Sequence, residues 1–326
     1  MSAPIPSVPL GPTGEHVSAL CLGTMYFGTR QGEAASFALL DQYRDAGGAF
    51  LDTANCYAFW EGGGHESEEL LGRYLADRGA RDDVFLATKV GFAPERPGAP
   101  WPEQVEHLTA GRIVESVETS LRRLNTDRVD LLYAHRDDRE TPLEETLEAF
   151  ARLVEAGKVR HVGASNTRAW RLERARQTAA RHGWPPYVCV QQKYTYLRPR
   201  PGADFGGQLW ADDGLRDYAA SENVALLAYS PLIGGAYTRG DRPVPDAFAG
   251  PDADARTDAL AAVARETGAT ANQVVLAWML AHGVLPIVAA STAAQLAENL
   301  GAAAFALSEE QVRRLDEAGA ASPPPA

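Results

Sequence analysis

Lysine is nearly missing from this chain: of 31 basic side chains only Lys89, Lys158 and Lys193 are lysines, and arginine supplies the rest. Where either cation would serve, the sequence has settled on arginine, so each surviving ammonium is a candidate for a task that needs one. Cysteine is scarce as well. Cys21, Cys56 and Cys189 are odd in number, widely spaced and form no Cys-x-x-Cys pair, which argues against a disulfide framework and against a zinc site. A reducing cytoplasm is the compartment that fits. Positive charge is in deficit, with 43 acidic residues against 31 basic ones and a formal net charge of −12. No dense Lys/Arg block occurs, and nucleic acids and anionic membrane surfaces both require one, so neither is expected as a partner. No apolar run approaches the length of a bilayer span. The opening Met1-Ser-Ala-Pro-Ile-Pro6 has no charged segment leading into an apolar core, so anchoring and export are not expected either.

What the chain does have is a regular alternation of short apolar runs with helix-like segments. Ala19 to Gly23 reads as a strand, and Glu33 to Ala46 as a helix with Phe37, Leu40 and Tyr43 at spacings of three. Further strands are predicted at Phe50 to Asp52, Val84 to Thr88, Leu131 to His135, His161 to Ser165, Val188 to Gln191, Val224 to Tyr229 and Leu285 to Val288. Helices are predicted between them at Ser67 to Asp77, Gly111 to Leu124, Pro142 to Glu155, Arg168 to His182 and Asp212 to Asn223. Two more fall within Thr257 to His282 and another at Ala293 to Ala303. Eight βα units with right-handed crossovers would close into a (β/α)8 barrel, and such barrels take this length as one domain, here 1–326. Residues 1–18 would form a lead hairpin across the barrel bottom, Glu309 to Ala318 an extra C-terminal helix begun at Ser308, and 322–326 a disordered tail. Three long connections, Gly91 to Ala110, Leu197 to Ala211 and Ser230 to Arg256, all follow strands. They would therefore gather over the C-terminal mouth, where such barrels place their chemistry.

Asp52, Tyr57, Lys89 and His135 each fall at or just past the C-terminal end of one of these strand-like runs. An ammonium beside a phenol would lower the phenol's pKa from about 10 and make it a proton donor near neutral pH. Taken singly, Asp52 could cap a loop, Tyr57 pack in one, His135 be a satisfied core histidine and Lys89 a solvated charge. Together they are a catalytic constellation.

Asp52-Thr-Ala-Asn-Cys-Tyr57, Thr88-Lys89-Val90-Gly91 and Tyr133-Ala-His135-Arg-Asp-Asp138 resemble the aldo-keto reductase superfamily. So do Leu22-Gly-Thr-Met25, Gly157 to Asn166, Tyr229-Ser-Pro-Leu232 and Glu298-Asn299, in matching order over nearly the whole chain. The resemblance implies an oxidoreductase that interconverts carbonyl and alcohol with a nicotinamide cofactor, NADP(H) ahead of NAD(H). Tyr57 would be the general acid/base, Lys89 would stabilise its phenolate, Asp52 would pair the ammonium and His135 would donate to the carbonyl oxygen. It further implies that Ser165, Asn166 and Gln191 hold the carboxamide and that Tyr229 stacks on the ring. Ser230, Pro231, Leu232 and Gly234 would approach the pyrophosphate, with Thr24, Met25 and Asp52 by the ribose. Ser291, Gln295, Glu298 and Asn299 would meet the adenosine.

Three departures stand out. No Gly-x-Gly-x-x-Gly follows a strand, and no Lys or Arg lies near Ser291 to meet a 2′-phosphate, a place Arg239 or Arg242 could fill. After Tyr57 runs an aromatic insertion, Ala58-Phe-Trp-Glu-Gly-Gly-Gly-His65, so Phe59 and Trp60, with Tyr26, Trp101 and also Trp210, could wall a pocket for a sugar or a flat polycyclic ketone. The same residues also fit two other readings: a nicotinamide-binding regulatory subunit with vestigial turnover, and an aldolase using Lys89 as a Schiff-base nucleophile.

Overall fold

The computed structural model describes residues 4–319 and opens with an antiparallel hairpin of β1 (Ser7–Pro9) and β2 (His16–Ser18). The tail expected to be disordered, 322–326, lies outside the described residues. Eight strands then pair in parallel, in sequence order: β3 (Cys21–Gly23), β4 (Phe50–Asp52), β5 (Phe85–Val90), β6 (Val129–Ala134), β7 (Val159–Ser165), β8 (Tyr187–Lys193), β9 (Ala225–Tyr229) and β10 (Leu285–Val288). Pairing of β10 with β3 closes the barrel. Helices α1 (Glu33–Asp45), α2 (Glu66–Arg78), α3 (Ala110–Arg123), α4 (Leu143–Glu155), α5 (Ala169–His182) and α6 (Asp213–Ser221) follow β3 to β8 one by one. Both α7 (Pro251–Thr267) and α8 (Ala271–Ala281) follow β9, α9 (Ala293–Gly301) follows β10, and α10 (Glu309–Glu317) is the extra C-terminal helix. This is the (β/α)8 barrel the alternation predicts.

The period of two along each strand divides the side chains between two cores. On β5, Leu86 and Val90 face the helices while Phe85 and Ala87 point into the barrel; on β6, Leu132 and Ala134 face out and Leu131 and Tyr133 face in. Carried one step further, the same alternation delivers Lys89 and His135 to the barrel mouth. The opposite end is closed by the hairpin, whose Leu10 and Val17 are buried among Phe50, Phe85, Val188 and Leu285. Gly11 makes that closure possible: its φ is +52°, and a Cβ there would lie 2.5 Å from the Val188 carbonyl oxygen.

Helix starts are chemically fixed. Thr109, Asp212, Thr270, Thr292 and Ser308 each accept an N–H from the third residue of α3, α6, α8, α9 and α10, and Thr270 with Gln273 and Ser308 with Gln311 complete reciprocal capping boxes. The structure moves two boundaries that matter. Strand β5 runs to Val90, so Lys89 lies inside a strand rather than after one. Helix α7 begins at Pro251, six residues ahead of the expected Thr257, because Pro251 suits a first helical position whereas periodicity registers only later.

Candidate active site

Asp52 ends β4, and its Oδ1 accepts from both Lys89 Nζ at 2.5 Å and Tyr57 Oη at 2.8 Å. Lys89 Nζ is also 2.5 Å from Tyr57 Oη and donates to the Thr53 carbonyl at 2.8 Å. Gln191 from β8 donates to the other oxygen, Asp52 Oδ2, at 2.8 Å. Asp52 and Lys89 are both fully buried. Each charge is thus desolvated but matched, the condition under which a buried pair survives. An ammonium held in this way carries no free electron pair, which counts against Lys89 as an aldolase nucleophile.

Protonation states follow from these contacts. Burial, the Asp52 charge and the hydrogen bond to Asp52 hold Tyr57 well above the ordinary phenol value. This direction is the reverse of the lowering expected from Lys89 alone, because burial penalises the phenolate and Asp52 both offsets the ammonium and accepts the phenol's hydrogen bond. His135, one residue past β6, is driven the other way: burial, then the charge of Lys89, keep it well below its usual value and hence neutral. Its Nδ1 lies 3.7 Å from Cys56 Sγ, and its ring meets Tyr57 and Phe92 edge-on at 6.0 and 5.4 Å. The tautomer with its proton on Nε2 lets Nδ1 accept from the Cys56 thiol.

On the neighbouring strand ends, Asn166 Nδ2 contacts Ser165 Oγ and the His135 carbonyl, both at 3.1 Å. Asn166 Oδ1 accepts from Tyr229 Oη at 2.7 Å and from the Leu209 N–H at 3.0 Å. Ser165, Asn166, Gln191 and Tyr229 therefore form one cluster beside the Asp52 set. Thr24 is buried under it, donating to the Asp52 carbonyl, with Ser67 bonded to Thr24 and Thr53; Met25 follows at the rim. After β9 the backbone turns through positive φ at Ser230, Ile233, Gly234 and Gly235. Pro231 is buried with its carbonyl on Thr195, Leu232 is half-buried, and space is open above Gly234. Inside this turn the Ile233, Gly235 and Ala236 N–H groups donate to the Ser230, Leu232 and Ile233 carbonyls.

At α9 the expected residues are turned to structural use. Gln295 Oε1 accepts the Ser291 N–H, Glu298 is met by Asn272, and Asn299 is buried with its amide on the Ala289 carbonyl. Arg239 is paired with Asp241, and exposed Arg242 has no ion-pair partner among the described residues. The aromatic insertion does reach the other predicted walls: Phe59 lies 5.0 Å from Trp60 and 5.6 Å from Trp101, and Trp101 lies 4.9 Å from Phe92. Tyr26 joins it through Arg30, stacked at 4.2 Å and ion-paired with Glu61. Trp210 instead packs among Tyr194, Phe205 and Phe248. Sequence reasoning assigned no role to Phe92 or Cys56, although Phe92 directly follows one recognised motif and Cys56 lies inside another.

Residues 19–320 match the model of the aldo/keto reductase family. The chain belongs to that family. Norsolorinic acid reductase stcV of Emericella nidulans is 33% identical over 93% of this chain and 79% of its own length. Aldo-keto reductase yakc [NADP(+)] of Schizosaccharomyces pombe is 30% identical over 91% and 86%. The crystal structure of the thermostable aldo-keto reductase Tm1743 with the inhibitor epalrestat superposes with a TM-score of 0.75 at 33% identity, covering 96% of this chain and 99% of that one. This aldo-keto reductase is thus an NAD(P)H-dependent oxidoreductase acting between carbonyl and alcohol groups on small molecules. Among its described residues no helix is long and apolar enough to cross a membrane.

Proposed function

We propose that the enzyme reduces an aldehyde or ketone with NADPH, and runs the reverse oxidation, with Tyr57 as the group that passes the proton. A bound nicotinamide supplies or accepts the hydride. Tyr57 Oη gives its proton to the substrate oxygen, and the adjacent Lys89 ammonium offsets the phenolate charge that remains. Asp52 pairs with the Lys89 ammonium and aims it, and neutral His135 donates from Nε2 to the same oxygen as negative charge develops there. Ser165, Asn166 and Gln191 would fix the carboxamide, with Tyr229 as the platform for the ring. The turn at Ser230, Pro231, Leu232 and Gly234 would face the pyrophosphate, Thr24 and Met25 the ribose, and Ser291, Gln295, Glu298 and Asn299 the adenosine.

The observation that carries this reading is the hydrogen-bonded triangle of Lys89, Asp52 and Tyr57 with the His135 ring against it. The yakc relative, an aldo-keto reductase named for NADP(+), supports NADP(H) over NAD(H). Phe59, Trp60, Trp101 and Tyr26 would form an aromatic wall, and the norsolorinic acid reductase relative favours a flat polycyclic ketone over a sugar for it. Loss of NADPH absorbance with a panel of aldehydes and ketones tests the activity. Turnover by wild type that vanishes in Tyr57→Phe, with nucleotide affinity kept, is the expected result; undiminished kcat in that variant would require another proton donor.

A further inference from the structure

We infer that Lys193 biases the site toward the reduced nicotinamide, by holding an uncompensated positive charge beside the Tyr229 ring on which the cofactor lies. The inference rests on the proposed role of Tyr229 as the nicotinamide platform. Lys193 ends β8 directly beside Tyr229 in the β8–β9 register. It lies two positions past Gln191, and the period of two turns it to the same side of the sheet. Its Nζ is 5.7 Å from the centre of the Tyr229 ring and 5.1 Å from that of Phe205, and its hydrogen bond goes to Gln208 Oε1 at 2.9 Å.

Lys89 is paired with Asp52 and Lys158 with Glu118, whereas no described carboxylate lies within ion-pair distance of Lys193. Burial lowers its pKa from the ordinary lysine value, and no acidic side chain offsets that lowering. In a chain with 43 acidic residues, leaving a partly buried ammonium without one is unusual.

A nicotinamide ring is neutral when reduced and carries a positive charge when oxidised. A fixed cation beside its platform repels only the oxidised form. At an effective dielectric constant of about 20 and a separation of about 9 Å, less screening at the mouth, the preference amounts to about five- to tenfold. Such a site favours loading with the reduced cofactor and release of the oxidised one.

Quenching of intrinsic tryptophan fluorescence gives the Kd of NADPH and of NADP+ separately, without turnover. The ratio Kd(NADP+)/Kd(NADPH) is expected to fall about five- to tenfold in Lys193→Met, chiefly through tighter NADP+, and to stay near the wild-type ratio in Lys193→Arg. Lys193→Gln serves if the methionine variant fails to fold by circular dichroism. An unchanged ratio in a folded, nucleotide-binding Lys193→Met overturns the inference. So does a variant whose only change is a raised KM for carboxylate-bearing carbonyl substrates, which would assign Lys193 to substrate. If wild type binds neither nucleotide, the parent reading fails instead.

Discussion

At the scale of single residues, the site reads as a proton held ready for delivery. Because burial and Asp52 keep Tyr57 above the ordinary phenol value of about 10, its proton stays on through neutral and mildly alkaline pH. The rate of carbonyl reduction should therefore show no fall between about pH 7 and 9, whereas alcohol oxidation, which needs the phenolate, should rise with pH. A pH profile of kcat in both directions checks this. His135, neutral because its pKa is depressed, should contribute no acidic limb above its ordinary value of about 6.5. Tyr57→Phe should lower kcat by about 10²- to 10⁴-fold with little change in nucleotide affinity. The four candidate catalytic residues were legible from sequence because they fall in three short motifs at or near strand ends. The phenol's direction of shift was not, since it depends on burial and on which oxygen accepts the phenol's hydrogen bond, both of which are set by three-dimensional geometry.

At the scale of elements, the loops matter more than the strands. Asp138, in the connection from β6 to α4, accepts from the Leu108 and Glu140 N–H groups, from Thr141 Oγ1 and from His107, tying the long loop after β5 to the neighbouring one. Burial works against its ionisation, yet these hydrogen bonds outweigh it and hold its carboxyl well below the usual range. A depressed folded-state pKa stabilises the fold fully above the unfolded value of about 3.9, and the contribution is lost as pH falls below it. Asp138→Ala should cost about 2–4 kcal/mol in urea unfolding at neutral pH and a smaller amount at about pH 3. Strand order and helix succession could be read from apolar periodicity. The adenosine-facing set on α9 could not be resolved in the same way, because spacing puts Gln295, Glu298 and Asn299 on one face without saying that Asn299 is buried against Ala289.

At the scale of the whole molecule, the two barrel ends divide the labour: one is sealed by the hairpin, the other carries every candidate catalytic side chain. Leu10→Ala, at the sealed end, should lower unfolding free energy by about 2–5 kcal/mol while kcat in the folded protein stays at the wild-type level. Denaturant curves and initial rates on the same preparation separate the two effects. The placement of the lysines follows this polarity too. Lys89 is sealed inside the mouth and Lys193 is half-covered there, whereas Lys158 sits just before β7 at the sealed end with its side chain 37% exposed. Apart from the α-amino group, amine-directed chemistry therefore has one ready handle. Coupling the protein to a solid support through it would orient the molecules with their openings toward solution, a property that a surface rich in lysine would have lost.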